Sequence, residues 1–248
     1  MNHSVRFLPC GDTALTIELG DRVDRRVSAM VLALAARVKA EAVAGIVEVV
    51  PTFRSLMIHY DPLTVPQSEL KAHLAPLLSG LDAAEGAGRT WRLPTCYHAS
   101  LAPDLAEVGA RTGLSPGQVV ELHSSVTYHV YMLGFLPGYP YLGDLPPELE
   151  LARRDIPRTS VPAGSVAIAT RLTAVYALES PGGWHLIGRT PALLWDMQRD
   201  PPAILAAGDR VRFEPISRDE YEAIARRSAA GELRLQPEEH PAAAGAPA

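Results

Sequence analysis

Thiols are nearly absent: Cys10 and Cys96 are the only cysteines in 248 residues. Neither sits in a C-x-x-C pair, and neither H-x-x-x-H nor H-E-x-x-H occurs, so no metal site is expected. His59, His73, His98 and His123 likewise show no ligand spacing. A disulfide between the two cysteines stays open, but two buried thiols in a reducing compartment is the expected state. G-x-S-x-G and G-x-x-x-x-G-K-[ST] are missing too, which removes a self-contained hydrolase elbow and a Walker A nucleotide loop. No apolar run approaches the ~20 residues a membrane helix needs. The opening MNHSVRFLPCGD lacks the basic region and apolar core of a signal peptide, and the cytoplasm is the expected compartment. Basic charge is in deficit, with 23 Lys+Arg against 28 Asp+Glu and a net charge of −5. That balance argues against a nucleic-acid or anionic-membrane binder.

Hydrophobic residues make up 47% of the chain, enough for one large core or two small ones. Two short strands are expected over 4–9 and 13–19, separated by Gly11-Asp12. A helix follows from about Asp24, with Val27, Met30, Val31, Leu34 and Val38 forming one apolar stripe. Ile46–Val50 and Ser55–Tyr60 read as strands on either side of Pro51. Thr64 and Gln67 have capping-box spacing for a helix whose face holds Leu70, Leu74 and Leu77. Thr90–Thr95 is a last strand, although Trp91 and Leu93 suit the sheet of either half. This order predicts a small α+β, ferredoxin-like domain over 1–88, joined through the Gly/Ala-rich stretch Gly80 to Gly88.

A short helix over 103–112 ends at Gly113, and Ser115-Pro116-Gly117-Gln118 caps another that runs to about Ser124. The pair resembles a helix-turn-helix, but the acidic balance and the lack of a basic second helix speak against DNA. Beyond Val126 short apolar runs alternate with Gly/Pro turns: Ser165–Ala169, Ala174–Leu178, Trp184–Ile187 and Val211–Phe213. That rhythm predicts an all-β sandwich or barrel, assigned to 89–217. A short helix after Ser217 and a disordered tail, its last ten or so residues, are expected in 218–248.

Candidate chemistry gathers in this β half. The stretch Tyr128–Gly143, YHVYMLGFLPGYPYLG, leaves a strand for a loop stiffened by Gly134, Gly138, Gly143, Pro137 and Pro140. Tyr139 and Tyr141 sit inside it, so the loop is either a ligand wall or a packed loop closing a barrel end. Arg153, Arg154 and Arg158 lie within six residues, ahead of Pro162-Ala163-Gly164. They suit a carboxylate or phosphate, or else a solvated charge run. Ser180-Pro181-Gly182-Gly183-Trp184 offers close backbone approach and a stacking ring, or simply a tight turn with a core tryptophan. Arg189 follows Gly188 as an anion contact or a salt-bridge residue. His129 and His185 suit acid–base work or a hydrogen-bonded place in a strand.

Taken together and in order, GFLPGYPYLGDLP, PRTSVPAGSVAIA and SPGGWHLIGRTP resemble the allophanate hydrolase subunit 1 family, also called carboxyltransferase subdomains C and D. That family contains the 5-oxoprolinase B subunits and a sporulation-kinase inhibitor, and the likeness runs to about residue 215. It implies a small α+β N-terminal domain followed by an all-β cyclophilin-like barrel. It also implies two partners: a protein like the 5-oxoprolinase C subunit (allophanate hydrolase subunit 2) and an A subunit of the lactam-utilisation family. With them and ATP, 5-oxoproline would be opened to glutamate; in urea carboxylase, a joined pair of such domains transfers a carboxyl group from biotin. The implied substrate-binding residues are Gly134, Phe135, Pro137, Gly138, Tyr139, Tyr141, Leu142, Arg158, Pro162, Ala163, Gly164, Ser180, Pro181, Gly182, Gly183, Trp184 and Arg189. Arg158 and Arg189 would hold a carboxylate or phosphate, and amides of the glycine loop would face developing oxyanion charge. No residue reads as an activated nucleophile. One departure stands out: the family's Gly-x-Gln-Thr-Gly-Ile-Tyr-Pro run is here Thr170–Ala177, with Leu172 in place of the glutamine. The alternatives are an inhibitor of a sensor histidine kinase and, from the barrel shape alone, a peptidyl-prolyl isomerase.

Overall fold

The computed structural model of the chain describes residues 5–81 and 88–238. Most of the expected Gly/Ala-rich joint and the expected disordered tail lie outside them. The chain divides into two compact units, Met1–Ala87 and Gly88–Ala248.

In the first unit the elements are β1 (Arg6–Cys10), β2 (Ala14–Glu18), α1 (Arg25–Glu41), β3 (Ile46–Pro51), β4 (Ser55–Tyr60) and α2 (Gln67–Leu74). The strands form one antiparallel sheet in the order β1-β2-β4-β3. Alternation places Leu15, Ile17, Leu56 and Ile58 on one face, where they meet Val31, Leu34 and Val38 of α1 and Leu70 and Leu74 of α2. Asp24 caps α1 by accepting from the Arg26 and Val27 amides. Three expectations need correction. Thr64 does not cap α2: its hydroxyl donates to Asp61 at 2.8 Å, and Pro66 occupies the N-cap with no side-chain bond. Gln67 instead reaches the Tyr60 hydroxyl at 3.0 Å. The order β-β-α-β-β-α also differs from the β-α-β-β-α-β order of a ferredoxin-like unit, because the first two strands form a hairpin. Finally, Cys10 is an exposed free thiol, while Cys96 is a buried one.

The second unit comprises β5 (Thr90–Cys96), α3 (Leu105–Thr112), α4 (Pro116–Ser125), β6 (Tyr128–Leu133), β7 (Pro140–Gly143), β8 (Arg158–Val161), β9 (Ser165–Ala169), β10 (Leu172–Val175), β11 (Ser180–Gly182), β12 (His185–Arg189), β13 (Arg210–Ile216) and α5 (Arg218–Ala229). Seven strands close a barrel in the order β10-β7-β6-β13-β5-β12-β9, and β8 pairs with β11 in a separate ribbon. The strand at Thr90 therefore belongs to the barrel, parallel to β13. Trp91, Leu93, Tyr128, Val130, Val166, Ile168, Ile187, Val211 and Phe213 belong to one core cluster with Leu105 and Val108 of α3 and Val119 of α4. Ser115 and Gln118 form the expected capping box of α4, and Ser217 with Glu220 forms another on α5. Asp209 ties the seam, accepting from the Arg89 amide at 3.0 Å and from the Trp91 indole at 2.9 Å.

One polar chain crosses the barrel core. Thr173 donates to the Ala167 carbonyl at 3.0 Å, so its oxygen accepts from His123 Nε2 at 2.9 Å. His123 Nδ1 is then left to accept from the Tyr97 hydroxyl at 2.8 Å. Burial pushes His123 down to about 3, so the ring is neutral.

β9 is buried along its whole length. Its even-numbered side chains, Val166 and Ile168, join the first core. Ala167 and Ala169 join a second cluster with Ala174, Tyr139, Tyr176, Trp184 and Leu186. The small alanines leave room on that face for the large rings, and this second cluster underlies the site.

Candidate functional site

The second cluster opens into a hollow of about 280 Å³. Phe135, Tyr139, Tyr141, Tyr176 and Trp184 give it aromatic walls; Arg153, Arg154, Pro157, Pro181, Gly182 and Gly183 complete the lining. The rings meet edge to face: Tyr139 lies 5.2 Å from Tyr176 at 89°, and Tyr141 lies 6.1 Å from Trp184 at 65°. The Pro-Gly-Gly turn has its glycine for a steric reason. A Cβ on Gly182 would stand 2.1 Å from the Tyr176 hydroxyl, whereas one on Gly183 would meet Pro157 at an ordinary 3.6 Å. Phe135 reaches the mouth from a backbone at φ 70°, a left-handed conformation costly for a bulky side chain. The residue is 61% exposed, and its ring packs edge-on against Tyr139 at 5.4 Å.

Electrostatically the hollow is a neutral box with a cation at its edge. Burial holds the Tyr139, Tyr141 and Tyr176 hydroxyls above the usual tyrosine range, while the nearby charge of Arg153 opposes that rise at all three. All three are therefore protonated at neutral pH. The Arg153 guanidinium lies 5.9 Å from the Trp184 ring centre. Arg154 donates to Asp104 at 3.2 Å and to Glu107 at 3.3 Å. Arg158 donates to the same Asp104 oxygen at 2.6 Å, and the other oxygen takes the Leu186 amide at 2.7 Å. Asp104 is 3% exposed, so one buried carboxylate anchors the arginine loop to β12 and to the start of α3. His185 reinforces that anchor by donating from Nε2 to the Ala152 carbonyl at 2.9 Å.

The residues expected to share one cleft divide into two groups. Phe135, Tyr139, Tyr141, Pro181, Gly182, Gly183 and Trp184 line the hollow. Arg158 and Arg189, expected to hold an acid group, do not: Arg158 is bound to Asp104, and Arg189 donates from Nε to the Ala163 carbonyl at 2.9 Å. Pro162, Ala163 and Gly164 form the turn beneath that bond, where Gly164 has φ 80° and its amide donates to the Tyr176 carbonyl at 2.7 Å. Gly134 donates to the Tyr139 carbonyl at 3.1 Å, so the amides of Gly134 and Gly164 are committed to their own turns rather than turned toward an oxyanion. Gly138 packs on Trp195, Leu142 is buried in the barrel core, Ser180 is buried in β11, and Pro137 is exposed. Leu172, where the family has glutamine, packs against the aromatic cluster. Sequence reasoning did not single out Tyr176 or Asp104. The alternation of β10 beyond Val175 pointed to Tyr176; nothing distinguished Asp104 from a surface acid ahead of a helix. Among the described residues no group of three His, Cys, Asp or Glu side chains is placed to hold a metal, and no helix is long and apolar enough to cross a membrane.

Comparison with known proteins gives this geometry its family. A family model described as carboxyltransferase domain, subdomain C and D, matches residues 5–205. The 5-oxoprolinase B subunit of Bacillus subtilis is 38% identical, over 86% of this chain and 93% of its own. That of Escherichia coli O157:H7 is 42% identical, over 83% and 93%. Among solved structures, TTHA0988 superposes with a TM-score of 0.74 at 35% identity, over 86% of this chain. This chain spans 40% of the TTHA0988 chain. The urea amidolyase of K. lactis shares the fold, with a TM-score of 0.79 at 24% identity, over 95% of this chain and 16% of its own. The chain thus belongs to the carboxyltransferase domain family, subdomain C and D, alongside the bacterial 5-oxoprolinase B subunits.

Proposed function

We propose that this chain is the B subunit of an ATP-dependent 5-oxoprolinase and that the aromatic hollow receives the lactam. The observation that carries the reading is the near full-length match to 5-oxoprolinase B subunits, 93% of the relative's length in both bacteria named. The reaction consumes 5-oxoproline, ATP and two waters and yields glutamate, ADP and phosphate. An amide carbonyl is unreactive because of resonance, and coupling to ATP supplies the activation.

The lining suits binding rather than bond cleavage. Its aromatic rings, prolines, glycines and arginines include no histidine, cysteine, serine, lysine or carboxylate. A partner must therefore bring the reacting groups and complete the site. The partners are a protein like the 5-oxoprolinase C subunit, related to allophanate hydrolase subunit 2, and an A subunit of the lactam-utilisation family, in the cytoplasm. ATP is used by the assembled complex.

The test is reconstitution. The three subunits are purified separately and mixed, and 5-oxoproline-dependent ADP release is measured as each is left out. ADP release is expected to collapse without this chain. An undiminished rate in its absence would reject the reading, and is the result expected of a chain that serves only to inhibit a kinase.

A further inference from the structure

We propose that Arg153 selects the acidic ligand: the hollow takes a small, flat ring against Trp184, and Arg153 pairs with the ring's carboxylate. This rests on the reading of the chain as part of a 5-oxoprolinase and names the specificity residue of that site.

Elimination among the arginines leads there. Arg154 and Arg158 are bound to Asp104. Arg189 is bound to the Ala163 carbonyl and lies outside the hollow. Arg153 lines the hollow, is exposed and makes no ion pair among the described residues; its guanidinium faces the Trp184 ring. Its root is nevertheless fixed. The Ala152 carbonyl before it accepts from buried His185 at 2.9 Å, and the Arg154 amide after it donates to Gly183 at 2.8 Å. A fixed root with an unpaired guanidinium is preorganised for an anion, so little ordering cost falls on binding.

The walls define the rest of the ligand. Trp184, Tyr139 and Tyr141 present ring faces and edges suited to a planar group. The phenols are neutral, so the charge at the edge is uncompensated and positive. A cationic ring is repelled, and a neutral lactam fills the hollow but leaves the guanidinium without a partner. The chemistry that satisfies every wall is a planar cyclic amide bearing one carboxylate.

The experiment uses the reconstituted complex with wild-type chain, Arg153→Gln, Arg153→Lys, and Arg226→Gln as an exposed-arginine control on α5. Steady-state rates are measured against 5-oxoproline, with 2-pyrrolidone, which lacks the carboxylate, as a competing inhibitor. Arg153→Gln is expected to raise KM for 5-oxoproline about 10- to 100-fold with kcat within a few-fold, the loss of one charge-assisted contact. Arg153→Lys should fall between, and Arg226→Gln should match wild type. Inhibition by 2-pyrrolidone should be the same in wild type and Arg153→Gln, which a folding defect would not spare. An unchanged KM in a complex that still requires this chain overturns the role of Arg153 and leaves the 5-oxoprolinase reading standing. Full activity without this chain overturns both. Failure of both Arg153 variants to assemble with the partners also overturns the proposal, because the arginine would then serve docking.

Discussion

Acid should weaken the barrel through His123. The ring is fully buried, its Nδ1 takes the Tyr97 proton, and its Nε2 proton goes to Thr173. A second proton on the ring displaces the bond that Tyr97 donates, and its charge has no counter-ion among the described residues. Burial accordingly pulls the folded value down to about 3 from the ordinary 6.5. The unfolded chain therefore takes up this proton first, and the stability present above pH 6.5 is lost as pH falls toward 3. The span is about 3.5 units, or roughly 5 kcal/mol when complete, of which about 2 kcal/mol is gone at pH 5. Urea unfolding at pH 7.5 and pH 5.0, for wild type and His123→Gln, isolates the effect. All three tryptophans, Trp91, Trp184 and Trp195, lie in the barrel unit, so their fluorescence follows that unit alone. The wild type should lose about 2 kcal/mol more than the variant between the two pH values, whatever the variant costs at pH 7.5. Parallel losses in the two proteins would refute the buried, neutral histidine.

Other outcomes follow from the same geometry. Asp104→Ala strands two arginines and the Leu186 amide; it should cost about 3–5 kcal/mol in the barrel transition, because one partner of a buried pair is removed. Gly182→Ala should displace Tyr176 and weaken 5-oxoproline binding in a titration of the complex, whereas Gly183→Ala should shift stability by less than about 0.5 kcal/mol. Phe135→Gly relieves the positive φ and removes one wall. Stability should hold level or rise by about 1 kcal/mol in urea unfolding while KM increases, a separation of stability from function.

Much of this was legible because local physics dictated it. The 3.6-residue stripe of α1, the capping box at Ser115 and the alternation in β5 and β13 each need only neighbours in sequence. Part of the aromatic wall was also visible, since Tyr139 and Tyr141 sit among Gly and Pro, where an ordinary turn does not need two large rings; Trp184 read equally as the core tryptophan of a tight turn. The cation was harder. Three arginines in six residues look alike in a sequence, and only the buried Asp104, some fifty residues upstream, decides which of them remain unpaired. The Thr64–Gln67 capping box failed for a related reason: Asp61 and Tyr60 compete for the same side chains. Long-range partners decide such cases, and spacing does not reveal them.

The most direct measurement is a crystal structure of the assembled three-protein complex grown with 5-oxoproline. Ligand density is expected between the Trp184 ring and the Arg153 guanidinium, with the amide facing a residue of a partner protein. Density for 5-oxoproline elsewhere, with the hollow filled by a partner's side chain, would contradict it.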